Sequence, residues 1–197
     1  AGVLTVAVGF ASQTSASNFI SGLFLMFERP FVVGDIIRIE DKTGEVLSID
    51  LLSVKIRTFD NLLVRIPNEL LFKKEVTNLS HFPIRRVDLK VSVAYKEDLV
   101  RVRELLMEVA EANPLCLEDP APLFIFQGFA DSALNIQFSV WATRENWLAM
   151  RNTLIVGVKR AFDEAGIEIP FPHRTLYTGS VTTPMPVRVV PTDDGVS

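Results

Sequence analysis

The sequence predicts an apolar helix followed by two α+β units, the first a small β barrel or sandwich and the second a β-α-β-β-α-β unit. Three observations lead there. No charged residue occurs from Ala1 to Phe27, although Asp, Glu, Lys and Arg make up 22% of the 197 residues. Short runs of alternating apolar and polar residues recur from Asp35 to Ile66, with turn residues between them. From Arg86 onward the pattern reads strand, helix, strand, strand, helix, strand, an order known as ferredoxin-like.

A helix over the charge-free run is about 40 Å long at 1.5 Å per residue, longer than the roughly 30 Å hydrocarbon layer of a bilayer. Six of the seven residues from Ser12 to Asn18 are polar, so a bend or tilt is expected there. Lipid-facing hydrocarbon would not accept that cluster, because uncompensated hydroxyls and amides are costly in an apolar medium. The run Ala1 to Ala11 is rich in small residues, which let neighbouring helices approach closely. Val6 and Phe10 are four apart and share a face; if that face looks inward in a ring, they make an apolar constriction. A buried core helix or an ordinary membrane anchor can also be free of charge, and on these residues alone those readings stand beside a pore helix.

In the first unit, Asp35–Ile39 and Glu45–Ile49 read as a hairpin around Asp41-Lys-Thr-Gly44, with Gly44 at positive φ. Strands follow at Ser53–Thr58 and Leu62–Ile66. A short helix runs from Asn68, as N-cap, to about Lys73. In the second unit a strand covers Val87–Tyr95. The helix Glu97–Ala112 has Leu99, Val102, Leu105, Leu106 and Val109 on one face, and Asn113-Pro114 stops it. Strands at Leu123–Phe129 and Leu134–Thr143 precede a helix from about Glu145 to Ala165, with Leu148, Ile155 and Phe162 at heptad spacing beside Val158. Gly166 closes that helix and Ile167–Ile169 begins another strand. Val187, Val189 and Val190 have strand propensity, yet Pro184 and Pro186 oppose pairing within the chain.

Composition narrows the chemistry. With 48% hydrophobic residues the chain can bury real cores, which excludes disorder, and its net charge of −4 argues against nucleic acid as a partner. The single cysteine, Cys116, excludes an intramolecular disulfide and a multi-cysteine metal site. His81 and His173 are far apart in loops, and Asp98, Glu104, Glu108 and Glu111 space like a solvated helix face. No catalytic motif is present, so no enzyme activity, catalytic residue, metal or cofactor is expected. The doublets Lys73-Lys74 and Arg85-Arg86 suit inter-subunit ion pairs as well as phosphate. Asn78-Leu79-Ser80 fits a glycosylation sequon. A β barrel could bind RNA, but no basic stripe interleaves with the aromatic residues.

A series of short motifs, in order, resembles the small-conductance mechanosensitive channel (MscS-like) family. They are the small-residue helix, Gln13 to Asn18, Arg29-Pro30-Phe31, Gly34-Asp35, Gly44-x-Val46, Arg57-Thr58, Ile66-Pro67-Asn68, Asn78 with Ser80, Arg85-Arg86, Ala94-Tyr95, Phe162-Asp163, Ala165-Gly166-Ile167 and Pro170-Phe171-Pro172. The resemblance implies a pore-lining transmembrane helix (1–28), an Sm-like β barrel domain (29–78), a ferredoxin-like cytoplasmic domain (79–178) and a C-terminal strand (179–197) in an inter-subunit barrel. It implies a homoheptamer in the inner (plasma) membrane, multi-pass, in contact with lipids and passing ions and small osmolytes under tension with low selectivity. A membrane-anchored structural or regulatory module of the same fold is the alternative. By alignment the constriction falls on Val6 and Phe10, the helix-packing seam on Gly2, Ala7, Gly9 and Ala11, and the bend on Gln13, Thr14, Asn18 and Gly22. Thr14 stands where well-known members have a helix-breaking glycine, and should resist bending there.

Overall fold

A computed structural model describes residues 2–174, with residues 3–8 as backbone only. The elements in chain order are α1 (Gly2–Glu28), β1 (Ile36–Ile39), β2 (Lys42–Ile49), β3 (Ser53–Thr58), β4 (Leu63–Pro67), α2 (Asn68–Lys73), β5 (Val76–Asn78), β6 (Ile84–Val93), α3 (Leu99–Glu111), β7 (Leu123–Phe129), β8 (Leu134–Thr143) and α4 (Trp147–Ala165). The expected C-terminal strand at Val187–Val190 and the side chains of Val6 and Ala7 lie outside the described residues.

Helix α1 runs through the polar stretch without interruption. Thr14 is no helix breaker, and two polar side chains bond back onto the helix: Ser12 Oγ donates to Gly9 O and Asn18 Nδ2 to Thr14 O. Among the described residues no helix is long and apolar enough to cross a membrane.

The first sheet is antiparallel, in the order β4-β3-β2-β1-β5, with β4 and β5 as its open edges. Two local expectations change. Ile39 pairs with Lys42, so the β1–β2 turn is the two residues Glu40-Asp41, with Glu40 at φ 49°. Gly44 lies inside β2, and a Cβ there would come within 2.5 Å of Arg57 O on β3. Its role is therefore close approach of a neighbouring strand, not turn geometry. Strand β5, only three residues long and absent from the sequence expectation, pairs with the other side of β1. Buried Ile37, Ile39, Val46, Val54, Ile56 and Ile66 form the core, joined by Leu25 from α1, Phe31 from the linker and Leu71 from α2.

The second sheet has the order β6-β8-β7, all antiparallel, with α3 and α4 on one face. The expected strand at Ile167–Ile169 is not formed; that segment instead buries Ile167 and accepts one bond, from Ala94 N to Glu168 O. Asp98 caps α3 by accepting from Val100 N, and Gly166 ends α4 at φ 68°. The buried face of α4 is Met150, Leu154, Val158 and Phe162, at a spacing of four; Val158 and Phe162 are on the expected face, while Leu148 and Ile155 are exposed. These side chains meet Val102, Leu106 and Ala110 of α3 over Ile136, Phe138 and Val140 of β8.

Phe138→Ala removes a fully buried ring from this second core and is expected to cost about 3–5 kcal/mol. The loss should appear as a lower midpoint of urea unfolding followed by tryptophan fluorescence, since both tryptophans, Trp141 and Trp147, lie in this unit.

Candidate functional site

The residues expected to matter along α1 fall into two environments. Gly9, Phe10, Ala11, Gln13 and Thr14 are exposed, Phe10 at 73%, and a Cβ added at Gly2 or Gly9 would meet nothing within 4 Å. Among the described residues, Gly9, Phe10, Ala11, Gln13 and Thr14 are not packed into a core. Asn18 and Gly22, by contrast, are the foot by which α1 stands on the first sheet.

That foot solves a capping problem. Helix α2 opens after Pro67, whose side chain has no acceptor, so the helix starts without a side-chain cap of its own. Asn18 Oδ1 supplies one from α1, accepting from Glu69 N at 3.0 Å. The sequence reading placed Asn68 as the cap. Instead Asn68 is the first helical residue, fully buried, with Nδ2 donating to Asp50 O at 2.8 Å and its backbone N to Leu52 O. Its Oδ1 is buried with no partner.

Gly22 sits one turn beyond Asn18, against that same amide. A Cβ at Gly22 would lie 2.3 Å from Leu51 O and 2.4 Å from Asn68 Nδ2, so any side chain there drives α1 off the sheet. Around this contact Phe24 stacks on Phe72 of α2, with ring centroids 5.6 Å apart. Lys73, and after it Ser17, hold the Glu69 carboxyl below its ordinary value.

A second attachment holds the linker that follows α1. Arg29 closes the helix at φ 48°, a left-handed conformation, with its N–H donating to Leu25 O. Asp35 then accepts from Val32 N, Asn78 Nδ2 and Ser80 Oγ at 2.9–3.0 Å, while Ile36 N donates to Ser80 Oγ. Burial alone would raise the Asp35 pKa; those three bonds and the nearby His81 outweigh it and hold the carboxyl below its usual value. The sequon asparagine, Asn78, is thus a structural clamp between β5 and the linker. Sequence reading passed over this clamp and Asn68's place in the joint, although Gly34-Asp35, Ile66-Pro67-Asn68 and Asn78 with Ser80 were all visible as motifs.

Elsewhere the basic doublets have partners. Lys73 meets Glu69, Lys74 meets Glu40 and Arg86 meets Asp88, while Arg85 lies 4.4 Å over the Trp147 ring. Among the described residues no three His, Cys, Asp or Glu side chains are grouped to hold a metal ion. Cys116 is half-buried, and burial raises its thiol pKa.

Two family models match the chain. "Mechanosensitive ion channel, beta-domain" covers residues 14–81, and "Mechanosensitive ion channel MscS, C-terminal" covers residues 87–169. An uncharacterized MscS family protein of Archaeoglobus fulgidus is 35% identical over 176 residues, 89% of this chain and 62% of that protein. The low conductance mechanosensitive channel YnaI of Escherichia coli is 34% identical over 194 residues, 93% of this chain and 55% of its own length. The crystal structure of Helicobacter pylori MscS in its closed state superposes with a TM-score of 0.85 at 27% identity, covering 89% of this chain and 70% of that one. The chain spans 55–62% of the length of these two relatives.

Two outcomes test the joint. Gly22→Ala should lower the melting temperature and speed amide exchange in α2 and residues 50–53, with the second unit unaffected. For Asp35, a folded pKa below the unfolded one adds stability above the ordinary carboxylate range, and that stability is lost as pH falls through the folded value. The melting-temperature gap between wild type and Asp35→Asn should therefore narrow from about pH 6 to about pH 3.

Proposed function

Because this chain belongs to the MscS-like family of mechanosensitive ion channels, we propose that it forms the pore helix and cytoplasmic part of a channel opened by membrane tension. The reading places seven copies in a ring in the inner (plasma) membrane, with α1 lining the pore, lipids around the ring and both α+β units on the cytoplasmic side. The observation that carries it is the contrast within α1: an uncharged upper part whose described residues Gly9 to Thr14 are exposed, and a foot locked into a folded domain.

In such a ring the small residues Gly2, Ala7, Gly9 and Ala11 let neighbouring helices close up. Val6 and Phe10 then face the axis as an apolar constriction. Such a ring blocks ions without sealing the hole, because a narrow apolar passage sheds the water that an ion needs. The polar stretch Ser12–Asn18 suits this place, since its hydroxyls and amides can face pore water and neighbouring chains instead of lipid.

Tension favours the state of larger in-plane area and shifts the population toward it. Gln13, Thr14, Asn18 and Gly22 are the hinge of that change. Asn18 and Gly22 bear on it directly, because a tilt of α1 has to carry the α2 joint along or break it. The pore segment carries no charge, so ions of both signs and small osmolytes pass with low selectivity during hypoosmotic shock. No cofactor enters this scheme.

Patch recording from the complete protein under graded suction tests the reading. Phe10→Ser should open at lower tension or leak at rest. An unchanged threshold together with an unchanged closed current would remove Phe10 from the gate, and the absence of any suction-activated current in wild type would overturn the channel reading.

A further inference from the structure

The basic doublet Arg85-Arg86 divides its residues between two surroundings. Arg86 is matched by Asp88 on its own strand at 2.7 Å, whereas the Arg85 guanidinium lies 4.4 Å over the Trp147 ring. Trp147 is itself fixed, its indole N–H donating to Arg86 O at 3.2 Å. A guanidinium over an aromatic face is attracted by the ring and loses freedom to swing away. Its neighbour across the seam between the two units is Arg38 of β1. Arg38 comes there because it pairs with Thr77 of β5, and the chain leaving β5 leads directly into β6. Burial, and after it the positive charge of Arg38, push the Arg85 pKa down.

Two like charges set beside each other in a half-buried place are unfavourable, and the cations around them are arranged differently. Lys74 meets Glu40 at 3.1 Å, and Arg144 meets Glu145 at 2.9 Å while donating to Ser80 O. Among the described residues, neither Arg38 nor Arg85 meets a carboxylate or makes a side-chain hydrogen bond. Their planar N–H forks match the oxygens of a phosphate group two at a time. A single carboxylate would leave one of the two charges unmatched, whereas a doubly charged oxyanion offsets both. Beside them an open groove of about 360 Å³, lined by Arg38, Glu40, Lys74, Glu75 and Thr77, gives such an ion room. Glu40 and Glu75 in its wall repel a long polyanion, so the fit is to a small one.

We propose that Arg38 and Arg85, with Trp147 against Arg85, form a binding site for a small dianion of the phosphate type, either inorganic phosphate or a phosphomonoester. One arginine comes from each unit, so a bound anion replaces a repulsion across the seam with two charge-assisted attractions and ties β1 to β6. The proposal does not depend on the pore reading.

The test uses the complete protein in detergent, titrated with inorganic phosphate against chloride of equal ionic strength. Wild type should show a saturable change in tryptophan emission that Trp147→Phe lacks, and its melting temperature should rise with phosphate. Arg38→Gln, at an exposed position, should fold as wild type does and need about tenfold more phosphate, or beyond, for half of either change. Arg38→Lys keeps the charge without the fork and should fall between the two. Half-saturation by glycerol 3-phosphate at a lower concentration than inorganic phosphate assigns the phosphomonoester, and the reverse order assigns the free ion. A response that never saturates, that chloride reproduces, or that Arg38→Gln leaves unchanged overturns the site. So does a flat titration joined to a smaller oligomer from Arg38→Gln, which would give the pair to a carboxylate of a neighbouring copy.

Discussion

Pro67 leaves α2 without a cap, and much else in the first unit depends on how that deficit is met. A helix of six residues has more unsatisfied N–H groups than internal bonds, so it stands only if something outside it accepts. Asn18 does so from α1, and its own amide hydrogen returns to Thr14 O within that helix. One residue thus ties the register of α1 to the position of α2. The neighbouring contacts follow from that choice: Gly22 must lack a side chain, Asn68 must turn to Asp50, and Leu25 falls into the core of the sheet.

The linker repeats the arrangement on the other side. Arg29 takes a left-handed conformation at some cost, about 1 kcal/mol or more for a residue with a Cβ, and Pro30 follows to prevent the helix from continuing. The cost is offset by the three bonds that Asp35 collects from Val32, Asn78 and Ser80. Helix α1 is consequently held at two points, by the α2 cap and by the clamped linker. A helix held in this way passes displacement into the sheet and does not swing freely at its end.

Much of this fold was legible because periodicity and punctuation agree. Val87–Val93, within β6, and Leu134–Thr143 alternate, Leu123–Phe129 is a short apolar run between turn residues, and Gly166 ends α4 as its position suggested. What stayed hidden depends on neighbours far away in sequence. Gly44 reads as a turn glycine because Asp-Lys-Thr-Gly is turn-like; only the nearness of Arg57 on β3 shows it to be a contact glycine. Asn68 reads as a cap from local sequence, whereas the acceptor lies fifty residues upstream. Strand β5 is too short to show a period, and Leu148 and Ile155 fit a heptad as well as the buried stripe fits a spacing of four. At the site, the motif residues could be singled out from sequence, but their grouping into one joint could not.

The placement of Leu25 and Asn18 also moves the border between the free part of α1 and the domain. By charge, the border lies between Phe27 and Arg29. By folding it lies about a dozen residues earlier, after Thr14, because Asn18 supplies a cap, Gly22 a close contact and Leu25 a core side chain to the first unit. Half of the uncharged helix therefore belongs to the folding unit beneath it. A truncation made at the charge border would cut through that unit, leaving α2 uncapped and the core short of a leucine, whereas one made at the polar stretch would leave it whole.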